Sequence, residues 1–256
     1  MYSLNNWDFT EKPVSNTYTI KVDGVSIAYT YIRKNACSSF KKFFSHFSHG
    51  CFSEYKTDLA ALNQLHVESS LDKLSSCDFR IFVFRDPIDR AISVYKNKFI
   101  QNTGNKDIFQ SYEKITGRDA FKASFEEFIS LYIMNQQVSE RELDPHLYSQ
   151  HLHLRDINYN AVIPMNSLYD SMQLVVGAAL AQKFFEKPVN ASTSNIESER
   201  ERNVVTQSAE ELNQIFKSEK RIPKSALFRT PTIEEQLKAF YVTDYELINS
   251  LKDNSK

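Results

Sequence analysis

Glycine is scarce in this chain, with five among 256 residues, and the five stand singly. No Gly-x-x-x-x-Gly-Lys-Ser/Thr loop can be written, which excludes a kinase of that type. Cysteine is nearly absent. Cys37, Cys51 and Cys77 are odd in number and lack metal-type spacing, so they read as reduced thiols and no metal is expected. A surplus of either charge is missing too: 31 Lys and Arg stand against 32 Asp and Glu, for a net charge of −1. That balance argues against a general nucleic-acid binder and leaves any anion site to local clustering. The longest apolar run, residues 174–181, is broken by Gly177 and too short to span a bilayer. Residues 1–8 have no basic stretch leading into an apolar one, so no signal peptide is read. These absences predict a soluble, cytoplasmic chain without a transmembrane segment, in which the sequon Asn190-Ala191-Ser192 has no meaning.

What is present can build a core. Hydrophobic residues make up 41% of the chain, with 19 Phe and 13 Tyr, which excludes a disordered protein. The length suits one substantial α/β domain over residues 1–256. Alternating apolar and polar residues from 17 to 32, around Asp23-Gly24, predict a hairpin. A helical stretch follows, with Leu59, Leu62, Leu65 and Leu71 as its buried stripe. Residues 79–84 read as a strand buried on both faces, with Asp86 capping the next helix and Pro87 as its first residue. Ser124-Phe125-Glu126-Glu127 is a capping box before an apolar face of Phe125, Phe128, Ile129 and Tyr132. Residues 160–165 predict another strand, with a helix starting at Ser167 to Asp170. Residues 187–203 read as a surface loop, and helices open at Ser208 and Thr232 by the same capping logic. Strands alternating with helices imply a three-layer α/β fold around a parallel sheet.

Two strand–loop–helix units carry the chemistry. The first strand, residues 26–32, runs into Arg33-Lys34-Asn35-Ala36-Cys37-Ser38-Ser39 and then a helix. The second, residues 79–84, runs into Arg85-Asp86-Pro87 and a helix through Arg90, Ser93, Tyr95 and Lys98. A helix N-terminus offers unpaired N–H groups and a partial positive charge, so a basic, hydroxyl-rich loop there is an anion site. Two such loops fit a ligand with two separated phosphate-like groups. Arg90 and Lys98 are weaker candidates for the anion, since most such helix charges face solvent.

These residues resemble the sulfotransferases that use 3′-phosphoadenosine-5′-phosphosulfate (PAPS), in particular the carbohydrate branch, as a soluble bacterial-type member. The loop of residues 33–39 is similar to the family's Pro-Lys-x-x-x-Thr/Ser loop for the 5′-phosphosulfate, with Ala36 where glycine is common. Arg85 and Ser93 have the eight-residue spacing of the family's 3′-phosphate pair. Asp144-Pro145-His146-Leu147-Tyr148-Ser149-Gln150 resembles Asp-x-His-Trp-x-x-Gln, with Leu147 in place of the aromatic. Tyr241-Val242-Thr243-Asp244-Tyr245-Glu246-Leu247 is similar to the closing Tyr-x-x-Asp-Tyr-Glu-Leu.

The resemblance implies a P-loop-like sulfotransferase fold, PAPS as donor and 3′,5′-bisphosphoadenosine (PAP) as product. It implies donor contacts from Arg33, Lys34, Asn35, Ala36, Cys37, Ser38, Ser39, Arg85 and Ser93, with Lys34 neutralising the departing phosphate. If Ala36 requires positive φ, donor affinity suffers. A base must take the acceptor proton. His66, 19 residues before Arg85, is expected in that role, with Glu68 as a substitute and His146 as the other contender, placed on the acceptor side. His151 and His153 read as surface or acceptor-side residues. The implied acceptor is a carbohydrate hydroxyl, reached through residues 100–120, 144–153 and 187–203. Alternatives are a small alcohol, phenol or peptide tyrosine acceptor, or a nucleotide-binding protein that has lost catalysis.

Overall fold

The computed structural model describes residues 1–5, 7–48, 51–104, 106–186 and 204–253, without the side chains of Cys51 and Asp253. The surface loop expected at 187–203, with its sequon, lies outside the described residues. The residues group into two compact units. Unit 1 holds Met1–Arg85, Ser149–Ala191 and Glu246–Lys256; unit 2 holds Asp86–Tyr148 and Ser192–Tyr245.

Unit 1 carries the sheet: β1 (Tyr2–Leu4), β2 (Thr17–Val22), β3 (Val25–Thr30), β4 (Val67–Glu68), β5 (Phe79–Phe84) and β6 (Tyr159–Pro164). Their spatial order is β1-β6-β5-β3-β2-β4. The central three run parallel, with Tyr29 paired to Ile81 and Ile81 to Ala161. The outer strands β1, β2 and β4 are antiparallel to their neighbours, so the sheet is mixed rather than wholly parallel. The antiparallel pairing of β2 with β3 follows from the hairpin, whose turn residues Asp23 (φ 49°) and Gly24 (φ 88°) both take the left-handed conformation of a type I′ turn.

Helices α1 (Cys37–Phe47), α2 (Asp58–Leu65), α3 (Leu71–Ser75), α7 (Leu168–Val176) and α8 (Ala178–Phe185) belong to the same unit. Phe40, Phe43 and Phe44 of α1 pack with Tyr29, Ile81 and Phe185 on one face of the sheet. Ala28, Phe82, Phe84 and Leu247 form the core of a second cluster. The leucine stripe is only half realised. Leu62 is buried and Leu59 partly so, but Leu65 and Leu71 are exposed. The helical period stops at His66, where the chain turns into β4, and α3 starts afresh with Leu74 inward.

Unit 2 is helical: α4 (Pro87–Tyr95), α5 (Asp107–Thr116), α6 (Phe125–Glu127), α9 (Ala209–Glu219) and α10 (Pro231–Phe240). The capping boxes at Ser124 and Ser208 form as the sequence predicts. Phe125, Phe128, Ile129 and Tyr132 are all fully buried, although α6 widens at once into a π-helical segment, Phe128–Ile133. α10 begins two residues earlier than expected, with Thr230 as cap, because Pro231 is suited to the first helical position. Helix α4 runs into a second π-helical segment, Lys96–Ile100. The last helix, α11 (Val242–Asp253), passes from unit 2 into unit 1. Among the described residues no helix is long and apolar enough to cross a membrane, and no group of His, Cys, Asp and Glu is arranged to hold a metal ion. Cys37 and Cys77 are free thiols.

Candidate active site

In an open α/β sheet ligands bind beyond the carboxyl ends of parallel strands. In unit 1 those ends include the loop after β3 and the residue after β5, Arg85. The loop turns sharply. Lys34 (φ 69°) and Ala36 (φ 58°) are both left-handed, which costs a non-glycine residue about 1–2 kcal/mol. Ala36 therefore does occupy a position where glycine would be unstrained. Its left-handed conformation directly before the helical Cys37 is the alternation that turns successive N–H groups toward one point, the backbone geometry of a nest. No side chain caps α1, and its first turn holds no acidic residue.

The loop residues divide by burial. Arg33, Lys34, Ala36, Cys37 and Ser38 are partly exposed, whereas Asn35 and Ser39 are buried. Asn35 is fully enclosed, and its Nδ2 donates to the Val83 carbonyl at 2.8 Å and to Gln150 Oε1 at 2.6 Å. Its side-chain amide is thus an anchor of the loop toward β5. Gln150 in turn holds both main-chain groups of Arg85: Oε1 accepts from the Arg85 N–H and Nε2 donates to the Arg85 carbonyl, each at 2.9 Å. Sequence reasoning quoted Gln150 within a motif but assigned it no role. Its partners are 65 and 115 residues away, so no local spacing could signal them.

His66 closes α2 and lies beside β2. Its Nδ1 donates to the Thr19 carbonyl at 3.0 Å, which leaves Nε2 as the lone-pair nitrogen of the neutral ring, 2.6 Å from Ser48 Oγ. Phe44 packs edge-on against the ring at 5.0 Å. Burial lowers its pKa below the ordinary imidazole value, against a smaller opposing effect of the Thr19 carbonyl. Both nitrogens are engaged within the fold. Glu68 is similarly tied, accepting from the Ser69 and Ser70 N–H groups and pairing with Lys73, and the bond from Ser70 leads the lowering of its pKa.

Unit 2 builds a different imidazole site. Asp144 is 4% exposed, and its Oδ1 accepts from both the backbone N–H of His146 (2.9 Å) and the ring Nδ1 (2.6 Å). The Asp144 N–H is itself bound by Tyr132 Oη, which donates to Ser111. A buried carboxylate that orients an imidazole through Nδ1 puts the basic lone pair on Nε2, the arrangement of a general base.

Arg90 lies beneath this segment. Contrary to its reading as a solvent-facing charge, it is 1% exposed, and its Nη2 donates to the carbonyls of Leu147 and Tyr148 while its guanidinium faces the Tyr241 ring. Tyr241 Oη donates to the same Leu147 carbonyl at 2.8 Å, and Tyr245 Oη donates to Asp86 at 3.1 Å. Two tyrosines of the closing motif thus hold Leu147 and Asp86 within unit 2. Lys98 is also buried, where a solvent-facing charge was expected, and so is His153, read as a surface or acceptor-side residue. The π-helical turn rotates Lys98 inward, and His153 is in a 3-10 turn whose neighbour Leu154 is in the core.

The N-terminus of α4 differs from that of α1. Asp86 caps it, accepting from the Asp89 N–H at 3.0 Å, and Arg229 bridges Asp86, Asp89 and Glu234. A carboxylate already fills the position an anion would take, so any anion affinity of the second loop falls to the side chains of Arg85 and Ser93. Both are partly exposed.

A model of the sulfotransferase family matches residues 17–249, most of the chain. No curated protein and no solved structure matches it.

Proposed function

Because the chain belongs to the sulfotransferase family, a family of PAPS-dependent enzymes, we propose that it transfers the sulfuryl group of PAPS to a hydroxyl of a carbohydrate acceptor. In this reading residues 1–256 are one sulfotransferase domain, and the site of action is cytoplasmic. The observation that carries the reading is the start of α1: an uncapped helix N-terminus without an acidic residue, entered through a left-handed alanine and flanked by Lys34 and Ser38. These residues fit a dianionic phosphosulfate, since amide N–H groups, helix dipole and ammonium all favour negative charge.

PAPS supplies an activated sulfuryl group, and the acceptor oxygen–sulfur bond forms as the bond from sulfur to the phosphate oxygen breaks. The protein's part is positioning and electrostatics. Lys34 neutralises the charge left on the 5′-phosphate, and the N–H groups at residues 36–38 hold its oxygens. Arg85 and Ser93 bind the 3′-phosphate, Arg85 as a bidentate donor. His146 Nε2 takes the acceptor proton, with Asp144 fixing the tautomer and stabilising the imidazolium. We assign the base to His146 because the buried Asp144 carboxylate orients its ring through Nδ1, whereas His66 has no carboxylate partner among the described residues and its Nδ1 bonds a main-chain carbonyl.

The test is transfer of radiolabelled sulfate from PAPS to a panel of oligosaccharides, simple phenols and tyrosine peptides. Incorporation into the sugars supports the proposal. Transfer confined to phenols or peptides would replace the acceptor class, and PAP binding without transfer to any acceptor would leave a nucleotide-binding protein.

A further inference from the structure

We infer that Gln150 is a positioning residue that locks the 5′ and 3′ phosphate loops into one geometry, so that the two half-sites of the nucleotide are read together. The inference rests on the donor assignment above and goes beyond it by naming a residue that touches neither phosphate. Gln150 is 1% exposed. One face of its carboxamide takes the side chain of Asn35, between the two left-handed residues of the first loop. The same carboxamide closes a two-bond ring with the main chain of Arg85, accepting from the N–H and donating to the carbonyl.

The amide orientations are set by the partners. Val83 and Arg85 present carbonyls that can only accept, so Asn35 Nδ2 and Gln150 Nε2 must face them. With both amides fixed, a single Oε1 atom receives a proton from each loop. Asn35 Oδ1 is left buried without a partner among the described residues. An amide inserted at this cost in burial, and reaching between two loops more than 40 residues apart in sequence, sets their spacing. Backbone hydrogen bonds do not do so: β3 and β5 pair at residues 27–29 with 79–81, short of either loop.

The prediction concerns the gain in affinity on adding a 3′-phosphate, the ratio of the dissociation constants of adenosine 5′-monophosphate and PAP. Calorimetric titrations of both nucleotides with the wild-type chain, Gln150→Met and Gln150→Glu give this ratio, while thermal melts report folding. Gln150→Met keeps the volume and removes every hydrogen bond; Gln150→Glu keeps the acceptor and turns the donor to Arg85 into a repelling oxygen. Misplacing a group by about 1 Å can cost 10²-fold, so we expect the ratio to fall by about tenfold or more in both variants. An unchanged ratio in a variant that melts cooperatively overturns the inference. So does failure of both variants to melt cooperatively, which would make Gln150 a core residue and not a link between loops. Failure of the wild-type chain to bind PAP is a separate result, and it removes the donor assignment itself.

Discussion

Asn35→Asp is the sharpest probe of the first loop, because it changes a donor into an acceptor without changing shape. The native amide donates two short hydrogen bonds, at 2.8 Å to Val83 and 2.6 Å to Gln150, from a fully buried position. A carboxylate there faces two oxygens and leaves both without this donor. Gln150 Oε1 keeps the Arg85 N–H, so the penalty falls mainly on the Val83 carbonyl. A buried group deprived of its partner costs about 1–3 kcal/mol, and at pH 7 the substitution should destabilise the protein by at least that much, a sizeable part of the roughly 5–15 kcal/mol that folded proteins possess. The penalty has a pH signature. Burial and the facing oxygens raise the folded-state pKa of the new carboxyl, so the folded state binds a proton that the unfolded state has lost. Protonation restores one donor, and the difference from wild type should shrink as pH falls toward the ordinary carboxyl value. Urea denaturation of both proteins at pH 7 and near pH 4.5 measures this. A destabilisation below about 1 kcal/mol, or one independent of pH, would mean that the side chain of Asn35 is not spent on these two acceptors.

Three further outcomes are expected. Arg85→Ala should weaken PAP by about 1.5–3 kcal/mol, the worth of a charge-assisted contact, and leave adenosine 5′-monophosphate nearly unaffected; equal losses for both nucleotides in calorimetry would remove Arg85 from the 3′-phosphate. His146→Ala should lower turnover by about 10²–10⁴-fold at nearly unchanged PAP affinity, whereas His66→Ala should keep turnover and lower the melting temperature; the reverse pattern in a sulfate-transfer assay would return the base to His66, and loss only in Glu68→Gln would move it to the carboxylate. The lowered pKa of His66 means that the folded state takes up its proton at lower pH than the unfolded chain, whose imidazole protonates at about 6.5, so stability should fall as pH drops below that value. His66→Gln should flatten the decline between about pH 6.5 and 5, above the range where carboxylates titrate, and equal slopes in melts across that window would refute it.

The sequence by itself determined most of what depends on neighbours along the chain. The hairpin at Asp23-Gly24, the capping boxes at Ser124 and Ser208, the Asp86-Pro87 helix start and the buried strand at residues 79–84 are local preferences of a few residues, and they appear where their chemistry puts them. The family motifs were legible for the same reason, being short words of fixed spacing. Tertiary structure decided what those words are used for. Sequence spacing cannot tell a loop residue that faces a ligand from one that turns inward, and only packing makes Asn35 an anchor while its neighbours Lys34 and Ala36 stay partly exposed. Helical periodicity could not bury Arg90 and Lys98, because charge on a helix is presumed to seek water unless distant carbonyls such as those of Leu147 and Tyr148 come to meet it. The same limit separates the two histidines. His66 has the expected spacing but is held by Thr19 and Ser48, 47 and 18 residues away, while the Asp144–His146 pair, two residues apart, needed the burial supplied by Tyr132 before it could become an oriented imidazole.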